Sequence, residues 1–154
     1  MQQGQRMMRE FRVIFNKLAW LNKHEMEQQL KGYTPSKIHC LEAIRYTTQP
    51  NVQKLSQQLF MTRGAVSKLT KKLVNKNLIE RYQDSSNKKE IYYRLTEEGE
   101  QIERLHQQIH EKYQARDARV FEEMSEEEIT AIFRFLERYD AHLDHEIAKE
   151  GHTL

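Results

Sequence analysis

Glycine and proline are scarce in this chain, 5 and 2 of 154 residues, and cysteine occurs once. With so few residues that break helices, a helix-rich protein with little strand is expected. The single Cys40 excludes an intramolecular disulfide and a cysteine-rich zinc ribbon, which leaves only single-thiol or intermolecular redox chemistry. No apolar run approaches the ~18 residues of a membrane span, and the opening MQQGQRMMRE is polar and charged, so a cytoplasmic protein without membrane attachment is expected. Enzyme signatures are missing as well. There is no phosphate-cradling Gly-rich loop, no GxSxG and no HExxH, and no nucleophile is paired with a base in a recognisable context, so an enzyme is not expected.

What is present is an uneven distribution of charge. The net charge is only +2, but residues 1–60 carry 9 basic and 4 acidic side chains, residues 61–94 carry 9 and 3, and residues 95–154 carry 7 and 16. A near-neutral total thus hides a basic middle and an acidic C-terminal part. A concentrated basic region is the electrostatic footprint of a protein that meets a phosphate backbone, although charge alone fits a solvated face equally well.

Apolar periodicity divides the chain at its turn signals. Met7, Phe11, Ile14, Leu18 and Leu21 recur at helical spacing and predict one long amphipathic helix over residues 6–30, broken by KGYTPSK. Thr34 before Pro35 predicts a hydroxyl-capped second helix with Ile38, Leu41 and Ile44 inward. Asn51 caps a short third helix reaching about Phe60, and Thr62 caps a fourth with Val66, Leu69 and Leu73 inward. Two short helices separated by FMT form a helix-turn-helix pattern. The alternating stretches IERYQ and EIYYRL around DSSNKK predict a β-hairpin, and without an Asn-Gly turn its tip is expected to be a longer, mobile loop. Helix resumes at Thr96 with Ile102, Leu105, Ile109 and Tyr113 on one stripe. The capping box of Ser125 and Glu128 then opens a last helix carrying Ile129, Ile132, Phe133, Leu136, Tyr139 and Leu143. The expected fold is mostly α with a small β-hairpin wing: a winged helix-turn-helix lobe over residues 34–95, and a helical dimerisation region over residues 1–33 and 96–154. The long stripes exceed what a small lobe can cover, so an isologous homodimer is expected.

If Val66, Leu69 and Leu73 face the core, Arg63, Ser67, Lys68, Lys71 and Lys72 lie on the outer face of the fourth helix. Such a face suits the major groove of DNA, with side chains near the helix start reaching base edges and lysines farther on meeting phosphate. Thr62 and Gly64 belong to the same edge. Glycine in a first turn costs about 1 kcal/mol relative to alanine, which suggests close approach of backbone to DNA or to the preceding helix. Arg81, Lys88, Lys89 and Arg94 place further basic groups on the hairpin.

The order long helix, TPSKIHCLEAI, VQKLSQQLFMTRGAVSKLTKKLVNKNLIERYQD, NKKEIYYRLTEEG and two long C-terminal helices resembles the MarR (multiple antibiotic resistance regulator) family of bacterial transcription factors over nearly the whole chain. The most specific parts are LSQQL through LIERYQD and the LTEEG after the wing. The resemblance implies a homodimer that reads a pseudo-palindromic operator in double-stranded DNA. It also implies a repressor, released or modulated by a small-molecule effector bound between dimer core and lobe. Many members carry arginines around a wing-tip acidic residue, whereas here Asp84 is followed by SSNKK, and lysine lacks the planar fork that suits insertion into a minor groove. Asp84 joins the expected DNA-contacting set on this resemblance. A winged helix that binds protein instead of DNA is the alternative.

Cys40 reads as a small, partly buried residue of the second helix. His106 and His110 stand four apart on one helix, a spacing at which two imidazoles can bind one metal ion. Their plainer reading is a surface pair on a polar helix. A similar pair occurs in the zinc-sensing, AdcR-like branch of the family, where Glu25 resembles a first-helix ligand. That branch has Glu-His after the threonine that opens the second helix, where this chain has Ser36-Lys37 after Pro35, so His39 or Glu42 would have to substitute. No cofactor is expected to be required, and zinc is the one candidate.

Overall fold

The computed structural model describes residues 2–149; Met1 and residues 150–154 of the expected dimerisation segments lie outside them. The order is α1 (Gln2–Gln29), α2 (Pro35–Tyr46), α3 (Val52–Leu59), α4 (Arg63–Asn75), β1 (Ile79–Asp84), β2 (Asn87–Leu95), α5 (Glu97–Glu122) and α6 (Glu126–Lys149). The protein is therefore mostly helical with one antiparallel hairpin, as the periodicity requires.

α2, α3, α4 and the base of the hairpin close over one core in which Leu41, Leu55, Val66 and Leu73 are fully buried, with Ile79 and Tyr93 contributed by the strands. The predicted inward residues of α4 are all buried. Asn51 Oδ1 accepts from Lys54 N at 2.9 Å and Thr62 Oγ1 from Ala65 N at 3.2 Å, so each helix of the helix-turn-helix begins at a side-chain cap. Thr96 caps α5 in the same way, accepting from Gly99 N at 3.1 Å. Gly99 is required there, because a Cβ would run into the Leu78 carbonyl oxygen. The capping box of α6 is formed, with Ser125 N donating to Glu128 Oε2 at 2.8 Å and Glu128 N to Ser125 Oγ at 3.2 Å.

Two expectations need correction. Thr34 precedes α2 with Pro35 in the first turn, but its hydroxyl makes no capping hydrogen bond, so proline's fixed φ starts this helix. The hairpin tip is also tighter than expected: Asp84 pairs with Asn87, leaving only Ser85 and Ser86 between the strands, with a bulge between Tyr82 and Asp84. Asp84 supplies the turn chemistry that an Asn-Gly pair would have provided, accepting from Ser86 N at 3.0 Å.

A second, smaller core joins the end of α1 to α5 through Leu30, Ile38, Ile109 and Tyr113. Tyr113 Oη donates to the Asn22 carbonyl at 3.0 Å, and Lys112 Nζ reaches Glu25 Oε1 at 2.9 Å. Beyond this junction α1 and α6 contain no buried residue. Phe15, Leu21, Phe133 and Leu136 are exposed along these two helices, and Phe11 stacks on Phe135 at 5.7 Å.

Candidate nucleic-acid interface

Burial of Val66, Leu69, Thr70 and Leu73 fixes the rotation of α4 and turns Arg63, Ser67, Lys68, Lys71 and Lys72 outward, all of them exposed. Thr62 and Gly64 are exposed on the same edge. Open space surrounds the position of a Gly64 Cβ, so packing against the preceding helix does not explain this glycine. Thr70 anchors the inner face: its Oγ1 lies 3.0 Å from the Val66 carbonyl and 3.3 Å from Tyr93 Oη, which ties α4 to β2.

The wing stands beside this face. Arg81, Lys88 and Lys89 are exposed on the hairpin. Arg63, Ser67 and Lys71 of α4 share an open groove of about 520 Å³ with Arg81 and Lys89 of the wing. Among the described residues, no carboxylate forms an ion pair with Arg63, Lys68, Lys71, Lys72, Arg81, Lys88 or Lys89. The helix and the wing therefore place four basic side chains, free of ion pairs, against a single carboxylate, Glu90, around one concave surface with a net positive field. Such a surface suits a polyanion and offers no pairing of nucleophile and base.

Two acids of the wing behave differently. Asp84 does not project from the tip. It is engaged by Ser86 and by Gln49 Nε2 at 2.9 Å, and these hydrogen bonds, the Ser86 backbone N–H foremost, hold its carboxyl below the usual carboxylate range. Arg94 pairs with Glu80 and stacks on Tyr82 at 5.4 Å, a contact that stiffens the wing base.

The histidine pair is not a surface pair. His106 is buried on the α5 face that packs toward α2, while His110 is exposed, and their Nε2 atoms lie 2.8 Å apart. Burial lowers the His106 pKa to about 4, helped by His110 and by His39, whose ring lies 6.2 Å away on α2. The hydrophobic stripe and the histidines share a helix turn, which is why spacing alone misplaced them. Glu25 points at Lys112 and Gln29. Among the described residues no three His, Cys, Asp or Glu side chains stand together as a metal cluster. Next to His106, Glu103 is buried with Arg45 Nη1 2.6 Å from its Oε2; burial raises its pKa more than Arg45 lowers it. No local pattern signals this pair, whose members lie on α2 and α5. Cys40 is fully rather than partly buried, and burial pushes its thiol up to about 12, which disfavours the reactive thiolate.

A helix-turn-helix followed by a wing, with an unpaired basic face shared between them, defines the winged helix-turn-helix class of transcription regulator. Residues 33–91 match the profile of the MarR family. The HTH-type transcriptional regulators YhjH and YvnA of Bacillus subtilis are 34% and 32% identical to the chain over 110 and 105 residues. These alignments cover 71% and 68% of this chain and 63% and 67% of the relatives, so the chain spans just under two thirds of the length of YhjH. The crystal structure of Streptococcus pneumoniae FabT in complex with DNA superposes with a TM-score of 0.77 at 25% identity, covering 92% of this chain and 97% of that one. The chain belongs to the MarR family, whose members are DNA-binding transcriptional regulators and not enzymes. No helix among the described residues is long and apolar enough to cross a membrane.

Proposed function

We propose that this protein is a transcriptional repressor that binds a pseudo-palindromic DNA operator as a homodimer and is released or modulated by a small effector. The observation that carries this reading is the α4–wing surface, where Arg63, Lys71, Arg81 and Lys89, none of them ion-paired among the described residues, line one groove, with Lys68, Lys72 and Lys88 exposed on the same two elements. Ser67 and Lys68, near the start of α4, read base edges. Lys71, Lys72, Lys88 and Lys89 meet phosphate, with Thr62, Arg63, Gly64 and Arg81 lining the approach. Asp84 takes part by shaping the wing. The lobe of residues 34–95 makes these contacts, and residues 1–33 and 96–154 assemble the dimer through the apolar faces of α1 and α6, which the single chain leaves bare. A similar winged-helix structure, FabT, was crystallised with DNA, and this supports the reading. Footprinting on the DNA upstream of its own gene tests it: a two-half-site footprint that weakens with salt is expected. A protein that is monomeric at micromolar concentration, or that protects no DNA, overturns it.

A second reading makes zinc the effector. It rests on the His106–His110 pair, whose rings lie 4.4 Å apart; among the described residues no third His, Cys, Asp or Glu side chain completes a metal cluster, so His39 or Glu25 would have to move in. A buried neutral imidazole is a competent ligand, and zinc there would supply a cross-link between the lobe and α5. Glu25 would first have to leave Lys112. Zinc titration of metal-free protein, followed by operator binding, decides: a change below about twofold, or a His106→Ala variant that responds like the parent, removes zinc and leaves an organic ligand.

A further inference from the structure

Three consecutive residues in the turn between α2 and α3 each hold the wing. Gln49 Nε2 donates to Asp84 Oδ2 on β1 at 2.9 Å. The Pro50 carbonyl accepts from Tyr93 N on β2 at 2.9 Å. Asn51 Nδ2 donates to Glu90 Oε2, also on β2, at 3.2 Å. Gln49 adopts a left-handed backbone at φ 50°, which a side-chain-bearing residue enters only where its surroundings hold it there. Asn51 is committed twice, since its Oδ1 also caps α3. The segment that starts the helix-turn-helix is therefore the segment on which the wing rests.

The two acceptors are out of place in a phosphate-binding surface. Glu90 lines the same groove as Arg63, Lys71, Arg81 and Lys89, yet pairs with none of them. A carboxylate at that point repels DNA, so its presence calls for another use.

We propose that Gln49 and Asn51 are positioning residues that fix the wing relative to α4, and that Asp84 and Glu90 serve as their hydrogen-bond acceptors instead of touching DNA. This rests on the DNA-binding reading above. Without the two amide donors, the wing keeps only the attachments at its base, the Pro50–Tyr93 and Thr70–Tyr93 bonds and the core packing of Ile79 and Tyr93, and Lys88 and Lys89 near its tip lose their fixed distance from the lysines of α4. Phosphate contacts on the two elements then no longer form together. The Glu90 charge meanwhile lowers affinity for all sequences alike.

The test uses the full chain, a duplex from upstream of its own gene and a duplex of scrambled sequence, with affinity measured across a salt series. In the double variant Gln49→Gly, Asn51→Ser, glycine accepts φ 50° without strain and serine still caps α3, so both wing donors go while the fold keeps its thermal midpoint. Affinity for both duplexes is expected to fall about tenfold, and the logarithmic salt slope to become shallower by about one to two, as wing phosphate contacts are lost. Glu90→Gln keeps an acceptor oxygen but removes a negative charge. It is expected to bind both duplexes as tightly as the parent or more so, with a slope steeper by up to about one. A double variant with parental affinity and slope overturns the proposal. So does a Glu90→Gln variant that loses only the upstream duplex, which would make Glu90 a reader of bases. If the parent itself binds neither duplex, the DNA-binding reading fails first and this inference with it.

Discussion

The lobe helices and the long helices α1 and α6 all carry apolar residues at helical spacing, but only the lobe buries them. In the lobe Leu41, Leu55, Val66 and Leu73 reach 0% exposure, although α3 has only 8 residues. α1, with 28 residues, buries none, and Phe133 of α6 is 60% exposed. α5 records the transition along its own length. Glu103, His106, Ile109 and Tyr113 are buried where it meets α2 and α1, while Val120 and Phe121 farther on are exposed. The difference teaches that the lobe is completed by its own chain, whereas the stripes on α1 and α6 have the periodicity of core faces without a core. Bare apolar surface on this scale marks an interaction site, and the proposed homodimer supplies its cover.

The largest effects should break that comparison if it is wrong. Leu55→Ala and Leu73→Ala each remove a fully buried side chain and are expected to cost about 2 to 5 kcal/mol, the same at every protein concentration. Phe133→Ala with Leu136→Ala touches nothing buried within the chain, so its loss should appear as a melting temperature that falls more steeply on dilution. Thermal unfolding across a concentration series separates the two. A concentration-independent loss for the α6 pair would mean that α6 is completed within one chain.

At the boundary between the regions, pH is the probe. The His106 pKa is lowered to about 4 in the folded protein from an ordinary 6.5, because burial disfavours the imidazolium. Between those values the unfolded chain binds the proton and the folded chain does not, so stability is full above about pH 6.5 and declines as pH falls toward 4, by up to about 3 kcal/mol. Urea unfolding of metal-free protein should show this slope, and His106→Gln should flatten it. An unchanged slope would place the titration elsewhere.

The sequence was most readable where a pattern is local. Asn51 and Thr62 announce their caps because N-capping is decided within three residues, and the α4 stripe fixes the outward lysines because helical rotation follows from Val66, Leu69 and Leu73 alone. What escaped depends on long-range contact. Nothing within α5 distinguishes His106 from His110 as the buried member, since α2 decides that by packing over one of them. Asp84 looked like a wing-tip group because its partner Gln49 lies 35 residues away. The tight hairpin tip was missed because an aspartate side chain performs the turn that Asn-Gly usually signals.

A smaller effect concerns Gly64. With nothing near its Cβ position and an ordinary helical backbone, Gly64→Ala should stabilise the lobe by up to about 1 kcal/mol. If DNA is what approaches this backbone, the same variant should lose operator affinity while gaining stability. A gain in stability with unchanged binding would remove Gly64 from the interface.

The smallest effect compares three threonines that all precede helices. Thr62 and Thr96 accept hydrogen bonds from Ala65 N and Gly99 N at 3.2 and 3.1 Å, and Thr96 also donates to the Asn77 carbonyl at 2.6 Å, linking the start of α5 to the segment before β1. Each should cost about 1 kcal/mol when changed to alanine. Thr34 has the same backbone role, with ψ 154°, but no side-chain bond, and it sits where α1 gives way to the lobe. Pro35 already fixes φ at the first helical position and has no N–H to satisfy, so the hydroxyl adds little. Thr34→Ala should therefore shift the unfolding midpoint by no more than a few tenths of a kcal/mol in free energy. A loss as large as that of Thr62→Ala would show that Thr34 is bonded in the assembled protein, and that the joint between α1 and the lobe is latched by contacts the single chain does not make.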